Sequence, residues 1–505
     1  MFEVFESGSR ISKSDYKKRL PELRAELLHT QFELQKQNIP VLIKVAGVEG
    51  AGKGEVVNRL NSWMDTRYIE TYVFRKESDE EASRPFYWRF WRVLPSGGQI
   101  GVFFGSWYTQ PIKKLVFDEL DPHRFDSEMS NIRSLEQMLV AGGMVIAKFW
   151  LHIPEAEQRK RFEKLEKDER TEWRVTDYDW RYHDNFERFI KVSKRAIRQT
   201  DTAEAPWNII DASQTRFRDI AFMETLLQRM KAALNKNGIN KKINGAITPE
   251  LHKSAKPINV LNNVDLTKEL SKDEYKNEYK DLYLEIEYLA WQCYQNQISN
   301  IIVFEGWDAA GKGGVIRRLI PTLDAKLYRV IQIAAPTKLE LSHHYLWRFW
   351  QHIPKDGKIT IYDRSWYGRV LVERVEGFAT EPEWSRSYHE INEFEQQLIE
   401  HGTAINKFWL HISDEEQLRR FEERKRIEYK KHKITDEDWR NREKRDEYKA
   451  AVHDMVAKTS TEYAPWHIIP ANSKNFARIK VLKIIRDSMK SSLEKRVKKM
   501  AKQTD

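Results

Sequence analysis

Two stretches of this chain have the residue types and spacing to hold a polyanion. Gly306-Trp307-Asp308-Ala309-Ala310-Gly311-Lys312-Gly313 follows the apolar run Ile301-Ile302-Val303-Phe304. Gly47-Val48-Glu49-Gly50-Ala51-Gly52-Lys53-Gly54 follows Val41-Leu42-Ile43-Lys44-Val45. Both read as a buried strand, a glycine-rich turn and the start of a helix. The G-x-x-x-x-G-K spacing lets backbone N–H groups turn inward on phosphate while the lysine reaches its outer oxygens. Gly311 and Gly313 thus belong to the binding loop. The hydroxyl residue that usually follows the lysine, and ligates Mg²⁺, is replaced by Gly313 and by Gly54.

Phosphoryl transfer also needs a place for metal and neutralisation of equatorial charge. Asp308 is a carboxylate inside a loop that binds anions, which makes sense as a ligand of Mg²⁺ or as a group orienting the nucleophile; the bland alternative is a solvent-facing turn residue. Further on, Ile359-Thr360-Ile361-Tyr362 leads to Asp363-Arg364-Ser365-Trp366-Tyr367-Gly368-Arg369. An aspartate at the end of a strand beside a phosphate loop is the expected second metal anchor, and Arg364 can bridge phosphate oxygens. The first copy has Phe104 for Asp363, Gly105 for Arg364, Gln110 for Arg369 and Lys114 for Glu373, although Ser106-Trp107-Tyr108 survives. Residues 419–433 carry eight basic and three acidic side chains, against six and five in the equivalent 160–174. The first composition suits a basic lid over phosphates; the second suits a solvated helical face held by i,i+4 pairs. The Trp-Arg-Phe-Trp segments, present in both copies, read as core, and His343-His344 lacks a ligand cluster and receives no metal role.

These comparisons rest on a duplication. A shift of 259 residues superposes the two halves without insertion, from the glycine loops through Lys148-Phe149-Trp150-Leu151-His152 on Lys407-Phe408-Trp409-Leu410-His411 to Ala205-Pro206-Trp207 on Ala464-Pro465-Trp466. A unit of that length is a domain rather than a solenoid repeat. The expected division is a domain at 1–235, a linker at 236–265 rich in Asn, Lys, Gly and Pro, and a domain at 266–505. In the second copy the pattern predicts strands at Ile301–Phe304, Tyr328–Ile333, Lys358–Tyr362, Ala404–Ile412 and His467–Ile469. Helices are predicted at Gly314–Leu323, Ser342–Gln351, Arg386–Glu400, Asp414–Arg426 and Asp436–Lys458, with a last one after the fifth strand. Five strands alternating with helices imply an α/β fold with a parallel sheet.

A chain of 505 residues with 40% hydrophobic and 32% charged residues fits a solvated globular protein. No run reaches the roughly 18 apolar residues of a membrane span, no secretory signal is evident, and the single cysteine, Cys293, suits a reducing, cytoplasmic setting. A net charge of +10 biases partners towards polyanions.

Asp308 to Gly314, Tyr362 to Arg369 and Ala464-Pro465-Trp466-His467 together resemble the polyphosphate kinase 2 family, and the duplication resembles its two-domain members. The resemblance covers nearly the whole chain. It implies tandem P-loop kinase-like domains, each with a helical lid, and Mg²⁺-dependent transfer of the terminal phosphoryl of inorganic polyphosphate to AMP, giving ADP. It places Asp308, Lys312, Asp363 and Arg364 in the active site, with Asp308 and Asp363 holding the metal. It also brings Arg420, Arg424, Lys430 and Lys433 of the lid toward the phosphates. Arg369 and Glu373, lost from the first copy, join the substrate-binding set. The first copy departs at Glu49, Phe104 and Gly105, so independent catalysis is not expected there. The residues alone leave two alternatives: an ATP-using kinase of similar fold, or a non-catalytic nucleic-acid binder. The preferred reading has no nucleic-acid or membrane partner and leaves room for a homo-oligomer.

Overall fold

A computed structural model of the protein describes residues 1–6, 8–243, 260–427 and 436–504. The chain forms two units. The first comprises Met1–Glu77, Arg89–Glu250 and Thr337–His344; the second comprises Ser78–Trp88, Leu251–Pro336 and Tyr345–Asp505. Each therefore includes one short stretch from the other half of the sequence, which the division at 236–265 does not anticipate. The helix Thr215–Ile243 also continues beyond the expected end of the first domain.

Each unit is built on five parallel strands. In the first, β1 (Val41–Gly47), β2 (Ile69–Val73), β3 (Ile100–Phe104), β4 (Val145–His152) and β5 (Trp207–Asp211) lie in the order β2-β3-β1-β4-β5. In the second, β6 (Asn300–Gly306), β7 (Tyr328–Gln332), β8 (Ile359–Asp363), β9 (Ala404–His411) and β10 (Trp466–Pro470) lie in the order β10-β9-β6-β8-β7. The central strands β6 and β9 are buried almost end to end, as a parallel strand covered by helices on both faces must be. The chain runs from β6 out to the edge at β7, returns to β8 beside β6, and crosses to β9 on the other side. The carboxyl end of β6 is thus a topological switch point, where such sheets open a crevice for ligand.

The flanking helices start and stop where their sequences dictate. Ser271 and Glu274 form a reciprocal capping box at the start of Lys272–Gln295. Thr380 caps Glu381–His401 with Glu383, Pro382 occupies its first turn, and Gly402 ends it at φ +112°. Two predicted helices come out differently. Ser342–Gln351 is not continuous. The one-turn helix Lys338–Leu341 ends where the Ser342 hydroxyl bonds back to Leu339 O, and a separate turn at Trp347–Trp350 buries Phe349 and Trp350. Asp436–Lys458 is two helices, Asp436–Glu443 and Arg445–Thr459, because Lys444 leaves the helical conformation. The break turns the shorter piece towards the glycine loop.

Most tryptophans fill the core: Trp91, Trp107, Trp150, Trp350 and Trp366 are all but fully buried. Two of them belong to a polar cluster repeated in both units. Lys407 Nζ lies 2.7 Å from Glu395 Oε2 and 2.8 Å from the Tyr367 hydroxyl. Glu395 Oε1 also accepts from Trp366 at 3.1 Å and from Tyr367 at 2.7 Å. Lys148, Glu136, Trp107 and Tyr108 repeat this arrangement. The first unit adds a second buried cation, Lys44, where the other has Val303. Burial pushes its ammonium down to about 7 despite the Glu136 charge. Because a buried ion left without its partner is far more costly than the pair, Glu395→Gln should destabilise the second unit by roughly 3–5 kcal/mol, read by chemical denaturation.

Candidate active site

The second glycine loop joins β6 to the helix Lys312–Leu319 at the switch point. Gly306 lies so close to β9 that a β-carbon there would meet Leu410 O at 2.6 Å, and Gly311 has φ +108°. Ala309, at φ +60°, accepts the left-handed conformation that the turn imposes. A loop that points its N–H groups at a ligand turns its carbonyls outward, and these need donors. Arg420 supplies them. Its guanidinium, 3% exposed, donates to Ala309 O and Ala310 O at 2.9 Å each, and to Ala471 O and Asn472 O at 2.7 and 2.9 Å. Gln417 donates to Asp308 O at 3.1 Å. Arg161 does the same in the first unit, bonding Gly50 O, Ala212 O and Ser213 O. Arg420, whose Nε also donates to Glu416 Oε1 at 2.6 Å, therefore staples the loop to the end of β10, and its donors are committed to protein carbonyls and that carboxylate.

Lys312 extends back over the loop and donates to Gly306 O at 2.7 Å. Asp308 lies between two partners: Arg364 approaches Oδ1 at 3.5 Å, and Asn441 donates to Oδ2 at 2.8 Å. Asp363 closes β8 opposite Phe304 of β6, so the ladder register carries it to the mouth of the loop. Arg364, the next residue, has φ +64° and donates its backbone N–H to Phe304 O at 3.1 Å. A side chain in that conformation costs roughly 1 kcal/mol or more, a strain that concentrates at functional sites. The first unit has Gly105 there, where no such cost arises.

Two groups at this site escape the motif reading. Glu305, the last residue before Gly306, is buried and accepts from the Ser365 hydroxyl at 2.8 Å. Burial raises its carboxyl above the usual range, while Lys312, Ser365 and Arg364 oppose the shift. The bond ties the end of β6 to the strained turn at Arg364. Asn441, on the short helix Asp436–Glu443, is itself held by the Tyr448 hydroxyl at 3.2 Å. The first copy has Ala46, Tyr182 and Phe189 at the three equivalent positions, so the fixed-register comparison contained the signal.

The remaining expected residues are placed as follows. Arg369 pairs with Glu373 at 2.7 Å and lies over the Tyr345 ring, 4.5 Å from its centroid. Arg424 is on the helix Asp414–Arg426, one turn beyond Arg420. Lys430 and Lys433 lie outside the described residues. No group of three His, Cys, Asp or Glu side chains that could hold a metal exists among the described residues. Asp308 and Asp363 beside a phosphate loop still fit a hard divalent cation of the Mg²⁺ type. Such ions characteristically take one or two carboxylates and complete their shell from phosphate oxygens and water.

The first loop is folded alike but internally neutralised. Lys53 donates to Glu49 at 2.8 Å, and Arg218 presses against the loop so that a β-carbon on Gly52 would lie 1.8 Å from its guanidinium. Removing Glu305 should therefore disturb only the second site. We expect Glu305→Ala to lower turnover about tenfold, the equivalent of one lost buried hydrogen bond. The thermal midpoint of Glu305→Gln, which keeps the acceptor for Ser365, should stay close to that of the unsubstituted protein.

The polyphosphate kinase 2 family model matches residues 10–238 and, a second time, 269–497. A polyphosphate:AMP phosphotransferase of Pseudomonas aeruginosa is 44% identical over 98% of this chain and 100% of its own length. Its namesake in Pseudomonas syringae pv. tomato is 42% identical over 99% and 100%. A crystal structure of a polyphosphate kinase 2 from Pseudomonas aeruginosa superposes with a TM-score of 0.89 at 42% identity, covering 98% of this chain and 100% of that one. With both halves matched and every strand of the duplicated sheet accounted for, the chain belongs to the polyphosphate kinase 2 family.

Proposed function

We infer that this protein is a polyphosphate:AMP phosphotransferase whose chemistry is performed by the second unit. The observation that carries the reading is the set Lys312, Asp308, Asp363 and Arg364 at the carboxyl ends of β6 and β8. Only Lys312 of that set has an identical counterpart in the first copy, Lys53; Glu49, Phe104 and Gly105 stand at the other three positions. The full-length relatives named for this activity support polyphosphate over ATP as donor and AMP as acceptor.

In this reading the loop N–H groups and Lys312 hold the terminal phosphates of the donor. The nucleophile is a phosphate oxygen of AMP, already largely ionised near neutral pH because such second pKa values lie at about 6, so no strong general base is required. The difficulty is bringing two anions together. Arg364 moves from its loose 3.5 Å contact with Asp308 onto equatorial oxygens of the transferred group. Charge stabilisation of this kind, in a loose transition state, is the main catalytic term available to a protein. The P–O bond to the penultimate phosphate breaks as the bond to AMP forms, leaving ADP and a polyphosphate shorter by one unit. Asp308 and Asp363 would hold Mg²⁺, whose charge would help offset that of the phosphates. Asp308 also orients the acceptor, and Asn441 fixes its second oxygen. Arg424, Lys430, Lys433, Arg369 and Glu373 complete the substrate-binding set, while Arg420 acts through the loop it braces.

The reading has no nucleic-acid partner and places the enzyme in the cytoplasm, in keeping with one cysteine whose thiol burial pushes up to about 11. No helix among the described residues is long and apolar enough to cross a membrane.

ADP should form from AMP and polyphosphate with Mg²⁺ and no ATP. Turnover that required ATP would contradict the assignment. Asp308→Asn and Asp363→Asn should each reduce turnover at least about a hundredfold, as removal of one transition-state contact commonly does. Near-normal rates with Mg²⁺ in either variant would refute the shared-metal role.

A further inference from the structure

The two units differ in one more place, along the flank of the helix that follows each glycine loop. In the first unit this flank is a closed set of ion pairs. Arg218, 1% exposed, donates to Glu55 at 2.9 Å and to Asp219 at 2.8 Å, and Asp219 accepts from Arg59 at 3.2 Å. Its cations are spent on its own carboxylates. At the same register the second unit has Gly314 for Glu55, Ala477 for Arg218 and Arg478 for Asp219, while Arg318 replaces Arg59 in kind and Arg317 replaces Asn58.

Both carboxylates are therefore gone, and an arginine stands where one of them was. No carboxylate among the described residues lies within ion-pair distance of Arg317, Arg318 or Arg478. Arg317 is exposed; Arg318 and Arg478 are partly so. Burial holds the Arg478 guanidinium below its usual range, with the nearby Arg318 charge adding to the shift and Tyr275 opposing it; its polar neighbours are the neutral Asn475 and the Tyr275 ring. The Arg478 guanidinium lies 3.7 Å from the position of a β-carbon on Gly314, within the first turn after Lys312. Around Gly313 a β-carbon would meet nothing within 4 Å. The site that must hold only the terminal phosphates is thus continuous with an open flank of like-charged arginines. Mutual repulsion there is unfavourable until an anion arrives.

We propose that Arg478 and Arg318, with Arg317 beside them, form a subsite for the part of the polyphosphate chain beyond the phosphates in the glycine loop. The inference rests on polyphosphate being the donor and adds where the rest of the chain is held. The arginines touch neither the transferred phosphoryl nor AMP, so they contribute to donor binding and not to the chemical step. Their effect depends on donor length: a short chain ends inside the loop and never reaches them, whereas a long chain does.

The test is steady-state ADP formation by the full-length protein with long-chain polyphosphate and with tripolyphosphate as donors. It compares unsubstituted protein, Arg478→Ala, Arg318→Ala/Arg478→Ala and Arg478→Asp, the last restoring the residue type of the first copy. Lys480→Ala, which changes an exposed cation on the same helix, is the control. Each substitution at 478 should raise KM for the long chain about tenfold, as loss of a charge-assisted contact does. The double variant should raise it further. Meanwhile kcat, KM for AMP, KM for tripolyphosphate and the thermal midpoint should stay unchanged, and Lys480→Ala should alter nothing.

An unchanged long-chain KM in the double variant overturns the proposal. So does an equal rise with tripolyphosphate, which would place the arginines at the loop itself, or an equal rise in Lys480→Ala, which would reduce the effect to net charge. If the unsubstituted protein makes no ADP from either donor, the donor assignment fails and the subsite with it; the two failures are thereby distinguished.

Discussion

A peptide loop can offer its N–H groups to an anion only if something else occupies its carbonyls. In this fold that requirement is met by a buried arginine. Arg420 spans from the glycine loop to the end of β10 and bonds four carbonyls, and Arg161 does the equivalent work in the other unit. A guanidinium suits the task because its donors are fixed in a planar fork and it stays charged when buried. The position of the loop relative to β8, and so of Asp308 relative to Arg364, depends on this brace. It explains why Arg161 and Arg420 are alike in two copies that otherwise differ in nearly every charge at the crevice.

The duplication acts as an internal control. Features present in both units, namely the buried Lys–Glu–Tyr–Trp cluster, the arginine brace and the close approach of Gly306 or Gly47 to the neighbouring strand, are what the fold needs. Those found only in the second unit share one physical theme. Lys312 donates to the Gly306 carbonyl while its loop carboxylate, Asp308, is bonded by Arg364 and Asn441; Arg364 accepts a strained backbone, and Arg478 replaces an acid. The first unit instead satisfies every such charge from within: Lys53 with Glu49, and Arg218 with Glu55 and Asp219. A site that must attract two phosphate groups leaves cations uncompensated, and that costs stability which the first unit does not give up.

Much of this was legible in the sequence. Strand positions followed from buried apolar runs, and the loops from glycine spacing. The unequal residues of the two crevices followed from reading Phe104 against Asp363 and Gly105 against Arg364 at constant register. What escaped were properties set by three-dimensional closure. Arg420 reads as a lid cation because it lies in a basic run, and only folding shows its guanidinium turned onto backbone carbonyls. Glu305 hides at the end of an apolar strand, where a carboxylate has no periodic signature. The break at Lys444, which brings Asn441 to Asp308, has no proline or glycine to announce it. The predicted helix Ser342–Gln351 shrinks to the single turn Trp347–Trp350 for a related reason: apolar residues at helical spacing read as a longer helix.

The central claim is that a glycine loop and its lysine are insufficient, and that catalysis belongs to the loop with uncompensated charge around it. Parallel measurement of ADP formation from AMP and polyphosphate by Lys53→Ala and Lys312→Ala tests this most directly. The account predicts that Lys312→Ala abolishes turnover while Lys53→Ala leaves it within about twofold, less than one weak contact is worth. An equal loss in both variants would contradict it.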